Sequence, residues 1–103
     1  MILGKVIGTV VADARVSTMG GQRLRLVQLL DGRALEPQGG IHVAADVTGA
    51  GDGELVMLSS GASARKAGNL RDAPVDLVII AIIDELTGAA GVVYRSAREE
   101  ASA

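Results

Sequence analysis

One histidine and two adjacent serines are the side chains with which this 103-residue chain could perform nucleophilic catalysis. His42 is its only imidazole, and Ser59 and Ser60 could join it, with one of seven aspartates, in a Ser-His-Asp triad. However, neither serine stands in the G-x-S-x-G sequence that exposes a nucleophile on a strand-to-helix turn. We therefore expect His42 to be a surface histidine, and a small hydrolase is the weakest of the functions considered.

A glycine-rich segment, residues 49–54, invites comparison with phosphate-binding loops. Such loops follow a strand and open a helix, so that the phosphate lies at the helix N-terminus. Here the glycines lead into residues 54–58, which have the composition of a strand, and their G-x-G-x-G spacing has no Lys-Ser/Thr. We interpret the segment as a tight turn that needs positive φ and close backbone packing.

The acidic residues do not predict a metal or acid–base site. With one histidine and no cysteine, the candidate metal ligands are scattered carboxylates, and no run of Asp and Asn residues has the spacing of a calcium-binding loop. Asp84 and Glu85 are adjacent, so on a strand they would point to opposite faces and would not share a site. We expect no cofactor, no metal and no enzymatic activity.

Composition excludes several further classes of protein. A chain of this length forms one domain. It has 12 acidic and 10 basic residues and a single aromatic residue, Tyr94, so we expect no nucleic-acid partner. Its longest apolar stretch, residues 77–83, is too short to span a membrane, and we expect neither a membrane partner nor a signal peptide. The absence of cysteine fits a reducing compartment.

The secondary-structure pattern is typical of strands separated by glycine turns, with 14 glycines against 2 prolines. We expect one short helix at residues 61–67, capped by Ser59, Ser60 or Gly61. The pattern predicts a mostly β fold, a small five-stranded OB-like antiparallel barrel with one short helix, as a single domain over residues 1–95 and a flexible C-terminal tail over residues 96–103. The predicted strands are residues 2–12, 23–30, 41–45, 54–59 and 75–84, with a brief last strand at 92–94 that pairs with the fifth.

Within the fifth predicted strand, residues 75–83 are apolar on both faces apart from Asp76, although a strand of a small barrel normally shows one face to solvent. Either the helix and tail or a second subunit must cover it, and we favour a second subunit. Arg65, on the predicted helix, could form a salt bridge to Asp46, Asp76 or Asp84 of a neighbouring chain, or it could be an exposed helix arginine.

Four ordered blocks of this sequence resemble the pentameric vertex proteins of bacterial microcompartments, the EutN/CcmL family. Residues 5–11 are similar to the family's K-V-x-G-x-V strand, and residues 21–28 to its G-x-K-L-x-x-V-Q. Residues 44–54, followed by 60–65, resemble A-x-D-x-x-G-A-G-x-G-E and then G-S-S-A-R, with Ala62 in place of serine. Residues 74–84 are similar to P-V-D-x-x-I-x-x-I-I-D.

The resemblance implies a structural protein whose five barrels close into a cyclic pentamer at a vertex of a cytoplasmic microcompartment shell. Its partners would be further copies of the chain and hexameric shell proteins, contacted through a loop at residues 13–22 or 31–40, the latter longer than in many relatives. The implied subunit-interface residues are Asp46, Gly49, Gly51, Arg65, Asp76 and Asp84. The residues implied to line a narrow central pore are Ser59, Ser60, Gly61, Ala62 and Ser63. The alternative is an OB-type binding module for single-stranded nucleic acid or oligosaccharide.

Overall fold

The computed structural model describes residues 2–11, 23–60, 76–88 and 91–96 of the chain. Residues 61–67, where the sequence predicts a short helix, lie outside these ranges, and the described residues contain no helix. Seven strands occupy most of the described residues: β1 (Ile2–Val10), β2 (Arg23–Leu30), β3 (Pro37–Asp46), β4 (Leu55–Ser60), β5 (Leu77–Ile82), β6 (Glu85–Gly88) and β7 (Gly91–Arg95).

Five of these strands form a closed barrel in the order β1-β2-β3-β5-β4, which confirms the predicted five-stranded barrel. Antiparallel ladders join β1 to β2, β2 to β3, β4 to β5 and β4 to β1. The junction between β3 and β5 is parallel, whereas the sequence predicts antiparallel pairing throughout, and it is short, because only Ala45 and Asp46 pair across it. It is parallel because, in a closed ring of five strands, the direction cannot alternate at every junction, so four antiparallel junctions leave the fifth one parallel.

The barrel interior is filled by aliphatic side chains. Gly4 of β1 faces this interior, where an added Cβ would overlap Cγ1 of Val27 and lie 3.0 Å from Cδ1 of Leu58. The close approach of β1 to the core therefore requires glycine at this position. The seven buried members of the core come from all five barrel strands and one loop: Val6, Val27, Ala44, Ala50, Val56, Leu58 and Ile79.

The outer face of β5 is covered in part by the same chain. Val78 is fully buried, and its cross-strand neighbours Ala45 and Leu24 form a second buried cluster with it on the outside of the barrel. The sequence predicts that a helix, the tail or a second subunit must cover this face. Val78 is fully buried within a single chain, whereas residues 80–83 are only half-buried.

The last two strands form a separate hairpin, in which β7 pairs with β6. The prediction that the last strand pairs with the fifth is therefore wrong. Because β5 lies between β3 and β4 in a closed barrel, it has no full-length free edge to offer. Ser96, which we expected to begin a flexible tail, is 5% exposed, and its backbone N–H donates to the Asp84 carbonyl at 2.8 Å. Residues 97–103 lie outside the described ranges.

Candidate functional site

The loop between β3 and β4, residues 47–54, is organised by a buried carboxylate at its start. Asp46 is 5% exposed, and its Oδ1 accepts hydrogen bonds from the Thr48 N–H (2.8 Å), the Thr48 hydroxyl (2.8 Å) and the Gly49 N–H (3.1 Å). Its Oδ2 accepts the Ala50 N–H at 2.9 Å. An aspartate that accepts from backbone N–H groups just downstream fixes a turn without help from secondary structure. Both oxygens of Asp46 therefore serve their own loop.

Glycines allow the chain to reverse direction in this loop, which closes one end of the barrel. Gly49 and Gly53 have φ values of 79° and 86°, which confirms the predicted turn with positive φ. A Cβ added at either position would meet nothing within 4 Å, so backbone conformation, and not packing within the chain, requires glycine there. Ala50 is 1% exposed and inserts into the core, while Glu54 Oε1 accepts the Gly51 N–H at 2.6 Å.

A buried arginine attaches this loop to the barrel, and sequence reasoning missed it. Arg25 of β2 is 4% exposed, and its Nη2 donates to Oδ1 of Asp52 at 2.5 Å. The Arg25 Nε is buried without a hydrogen-bond partner among the described residues, and the Asp52 side chain is 70% exposed. The sequence does carry a signal for it: residues two apart on a strand share a face, and Val27, two residues after Arg25, lies in the core.

Three of the predicted site residues lie at one end of the barrel. Ser60 pairs with Leu77 and Ser59 with Val78, so both serines lie beside Asp76, which is exposed just before β5. Ser60 is exposed and Ser59 is half-buried. Arg65, Gly61, Ala62 and Ser63 lie outside the described residues.

Asp84 does not join this group. It follows β5 at the opposite end of the strand, where it is exposed. The Ser96 hydroxyl donates to Asp84 Oδ1 at 3.4 Å, and the Ser96 N–H donates to its carbonyl. Asp84 therefore anchors the base of the β6–β7 hairpin in its own chain.

His42 does not form a catalytic triad. It is exposed, which confirms the predicted surface histidine, and its Nε2 lies 2.7 Å from the Gly39 carbonyl oxygen. Because a carbonyl only accepts, this Nε2 carries the proton. His42 pairs with Val27 of β2, whereas the candidate serines of β4 pair with β5, and no hydrogen bond joins the histidine to them.

The described residues offer no other recognisable chemical site. They contain no group of three or more His, Cys, Asp or Glu side chains placed to hold a metal ion. The glycine loop leads into β4, so it does not have the strand-to-helix geometry of a phosphate-binding loop. In these ranges, no helix has the length and apolar character needed to cross a bilayer.

Comparison with known proteins gives a consistent match to shell proteins. The carboxysome shell vertex protein CcmL of Synechocystis is 40% identical over 94 residues, which cover 91% of this chain and 93% of that protein. A solved carboxysome subunit, CcmL, superposes with a TM-score of 0.87 at 40% identity, covering 93% of this chain and 99% of that one. GrpN of Rhodospirillum rubrum, described as a pentameric microcompartment shell protein, superposes with a TM-score of 0.76 at 37% identity, covering 86% and 100%.

The family model described as ethanolamine utilisation protein EutN/carboxysome matches residues 1–84. That range contains all five barrel strands and the loop that Asp46 organises. The matched segment of the family pattern, A-x-D-x-x-G-A-G-x-G-E, is thus explained by a capping aspartate, two left-handed glycines and a buried alanine. The chain belongs to the EutN/CcmL family of microcompartment shell proteins.

Proposed function

We propose that this chain forms the vertex of a bacterial microcompartment shell as a ring of five identical subunits. The observation that carries the proposal is the likeness of nearly the whole chain to a solved pentameric shell protein. The described residues add support, because the hydrogen bonds of Asp46 and Arg25 organise the fold of the barrel and its loop. The protein acts by its shape and catalyses no reaction.

The mechanism is geometric. Flat sheets of hexagonal tiles cannot close, whereas a pentagon inserted among hexagons supplies curvature. The ring therefore needs two sets of contacts: one between its own subunits, and one from its rim to hexameric shell proteins. We place the assembled shell in the cytoplasm. For the rim we retain the two candidate loops, residues 13–22 and 31–40, of which the second lies wholly within the described ranges.

The residue assignments for the ring are part of this proposal. Asp76 and Asp84 are both exposed, and Arg65 would be the cation that meets one of them across a subunit contact. Asp46, with Gly49 and Gly51, would contribute by fixing the shape of its loop, since its own oxygens are bonded within the chain. We place Ser59, Ser60, Gly61, Ala62 and Ser63 around a central opening that passes, at most, water or small solutes.

An OB-type module that binds nucleic acid or oligosaccharide is not favoured. Such surfaces stack bases or sugars on exposed aromatic side chains. The only aromatic residue, Tyr94, is half-buried and lines a cleft with Ile7 and Leu55 of the barrel.

Shell closure tests the proposed function. A hexameric microcompartment shell protein would be produced alone and together with this chain, and both samples would be imaged by electron microscopy. We expect open sheets or tubes from the hexamer alone and closed polyhedra, with this chain at the vertices, from the pair. Closed polyhedra that form equally well without this chain would contradict the vertex role.

A further inference from the structure

The outer part of β3 is an open sheet edge. β3 pairs with β2 along one side, but β5 reaches its other side only at Ala45 and Asp46. All seven residues from Pro37 to Val43 are exposed, including Ile41 at 57% and Val43 at 50%. The carbonyls of Gly39 and Gly40 accept hydrogen bonds from the side chains of His42 and Gln28. Among the described residues, however, no strand pairs with this side of the segment, which therefore presents apolar side chains at an open sheet edge.

The end of β1 is a second open edge. β4 pairs with β1 only from Ile2 to Lys5, and the next residue, Val6, bonds to the backbone of the loop before β4. Beyond this point, residues 7–11 have no strand partner on that side among the described residues. Ile7 is 45% exposed and Val11 is 87% exposed.

The two edges are complementary. They lie on opposite sides of one three-stranded sheet, because β2 pairs with β1 on one side and with β3 on the other. Neither residues 7–11 nor residues 37–43 include Asp, Glu, Lys or Arg, although charged side chains are the usual protection of a solvent-exposed edge. In a ring of identical subunits, two different patches of each subunit meet head to tail, and these two edges could serve as such a pair.

We propose that the β1 edge of one subunit, residues 7–11, pairs through its backbone with the β3 edge of the next, residues 37–43. The β1–β2–β3 sheet then continues from subunit to subunit around the ring. This inference rests on the proposed pentamer, and it names the occupant of both edges as a second copy of this chain. It also gives the subunit contact an apolar and backbone basis, distinct from the ion pairs of Arg65 with aspartates.

Engineered disulfides test the pairing, because the chain has no cysteine of its own. Thr9→Cys would be combined in turn with Ile41→Cys, His42→Cys and Val43→Cys, so that both faces of β3 are sampled. Within one subunit, Thr9 is separated from β3 by β2, a distance of about 9.5 Å for two strand spacings. A disulfide needs Cα atoms closer than about 7 Å, so these bonds would link only different chains.

On oxidation we expect at least one of the three double variants to give a non-reducing gel ladder that reaches five chains. Each single variant should remain monomeric on the gel, since a head-to-tail contact does not bring a residue next to its own copy. The matched control, Thr9→Cys with Val92→Cys, should give no ladder, although Val92 is as exposed as the β3 residues, at 54%. A control that cross-links equally well would overturn the inference.

Native mass spectrometry of the same reduced samples separates the two proposals. If the chain is pentameric and none of the three double variants cross-links, the edge pairing is wrong and the vertex function stands. If the unmodified chain is not pentameric, the proposed function fails first. A charge substitution gives an independent readout: Val43→Lys should shift the pentamer to folded monomers with an unchanged circular dichroism spectrum, whereas Val92→Lys should leave it intact. A Val43→Lys pentamer as abundant as the unmodified one would also refute the pairing.

Discussion

The carboxylate of Asp46 should be the largest single polar contribution to the stability of the barrel end. Replacing it with alanine removes the acceptor of four hydrogen bonds at once: two from Thr48, one from Gly49 and one from Ala50. The backbone N–H groups cannot find other partners without reopening the loop, since Ala50 is inserted in the core.

The size of the effect follows from the burial of these donors. A buried donor left without a partner costs about 1–3 kcal/mol. The hydrogen bond from the Ala50 N–H is buried, so its loss incurs this cost in full. The three bonds from Thr48 and Gly49 are partly buried, so water can take the place of the lost acceptor in part. We expect Asp46→Ala to lower the free energy of unfolding by about 3 kcal/mol, a large share of the roughly 5–15 kcal/mol of a small domain.

Two further substitutions should lower the free energy of unfolding by smaller amounts. Asp46→Asn retains one acceptor oxygen but sets an amide N–H against the remaining backbone donor, so we expect a loss of about 1–2 kcal/mol. Thr48→Ala removes only the hydroxyl donor and leaves every backbone N–H satisfied, so we expect a loss of at most about 1 kcal/mol.

Urea unfolding, followed by circular dichroism, measures the loss of stability in each of the three variants. The protein concentration is kept the same throughout, because assembly makes the apparent stability depend on concentration. The order Asp46→Ala, Asp46→Asn, Thr48→Ala should run from most to least destabilised. If Asp46→Ala costs no more than Thr48→Ala, the loop does not depend on this carboxylate and the reasoning fails.

Three other sites give predictions of different kinds. Gly4→Ala should lower the free energy of unfolding by about 1–3 kcal/mol in urea, because a methyl group would enter a filled interior; an unchanged midpoint would contradict the packing described. The Asp31 carboxylate accepts hydrogen bonds from the backbone N–H groups of Ala34 and Arg33. These bonds, of which the one from Ala34 has the larger effect, hold the pKa of the Asp31 carboxyl below its usual value. The stability this carboxyl contributes is therefore present above the ordinary Asp pKa and lost as pH falls through the lower folded-state pKa; an NMR-titrated pKa at or above the ordinary value would refute this. Arg25→Met should change stability by less than about 1 kcal/mol, since the buried guanidinium has one unpaired nitrogen and an exposed partner; a loss above about 2 kcal/mol would show that its ion pair matters more than its desolvation.

The barrel could be predicted because local signals agreed with the global fold. The glycine-rich segment at residues 49–53 separates β3 from β4, and the observed bounds of β2 are the predicted ones. The turn at Gly49 and Gly53 was predicted because only glycine adopts such φ values easily. Asp46 was singled out for a different reason, as a subunit contact; its hydrogen bonds within the loop emerged only from the structure.

The features that escaped prediction depend on long-range pairing. The parallel β3–β5 junction follows from how the barrel closes, which no local pattern records. The β6–β7 hairpin forms because β5 is already enclosed, and a short run such as residues 92–94 can pair with any neighbouring strand. β3 begins at Pro37, four residues before the predicted start, because Gly39 and Gly40 read as a turn but lie within a bulged strand. That extension supplies one of the two open edges.

The mass of the assembled protein tests the central claim most directly. Native mass spectrometry of the unmodified chain, at low micromolar concentration and in ammonium acetate, should show one dominant species of five chains, about 52 kDa for a subunit of 10.5 kDa. A dominant monomer or dimer under the same conditions would contradict the vertex role and everything built on it.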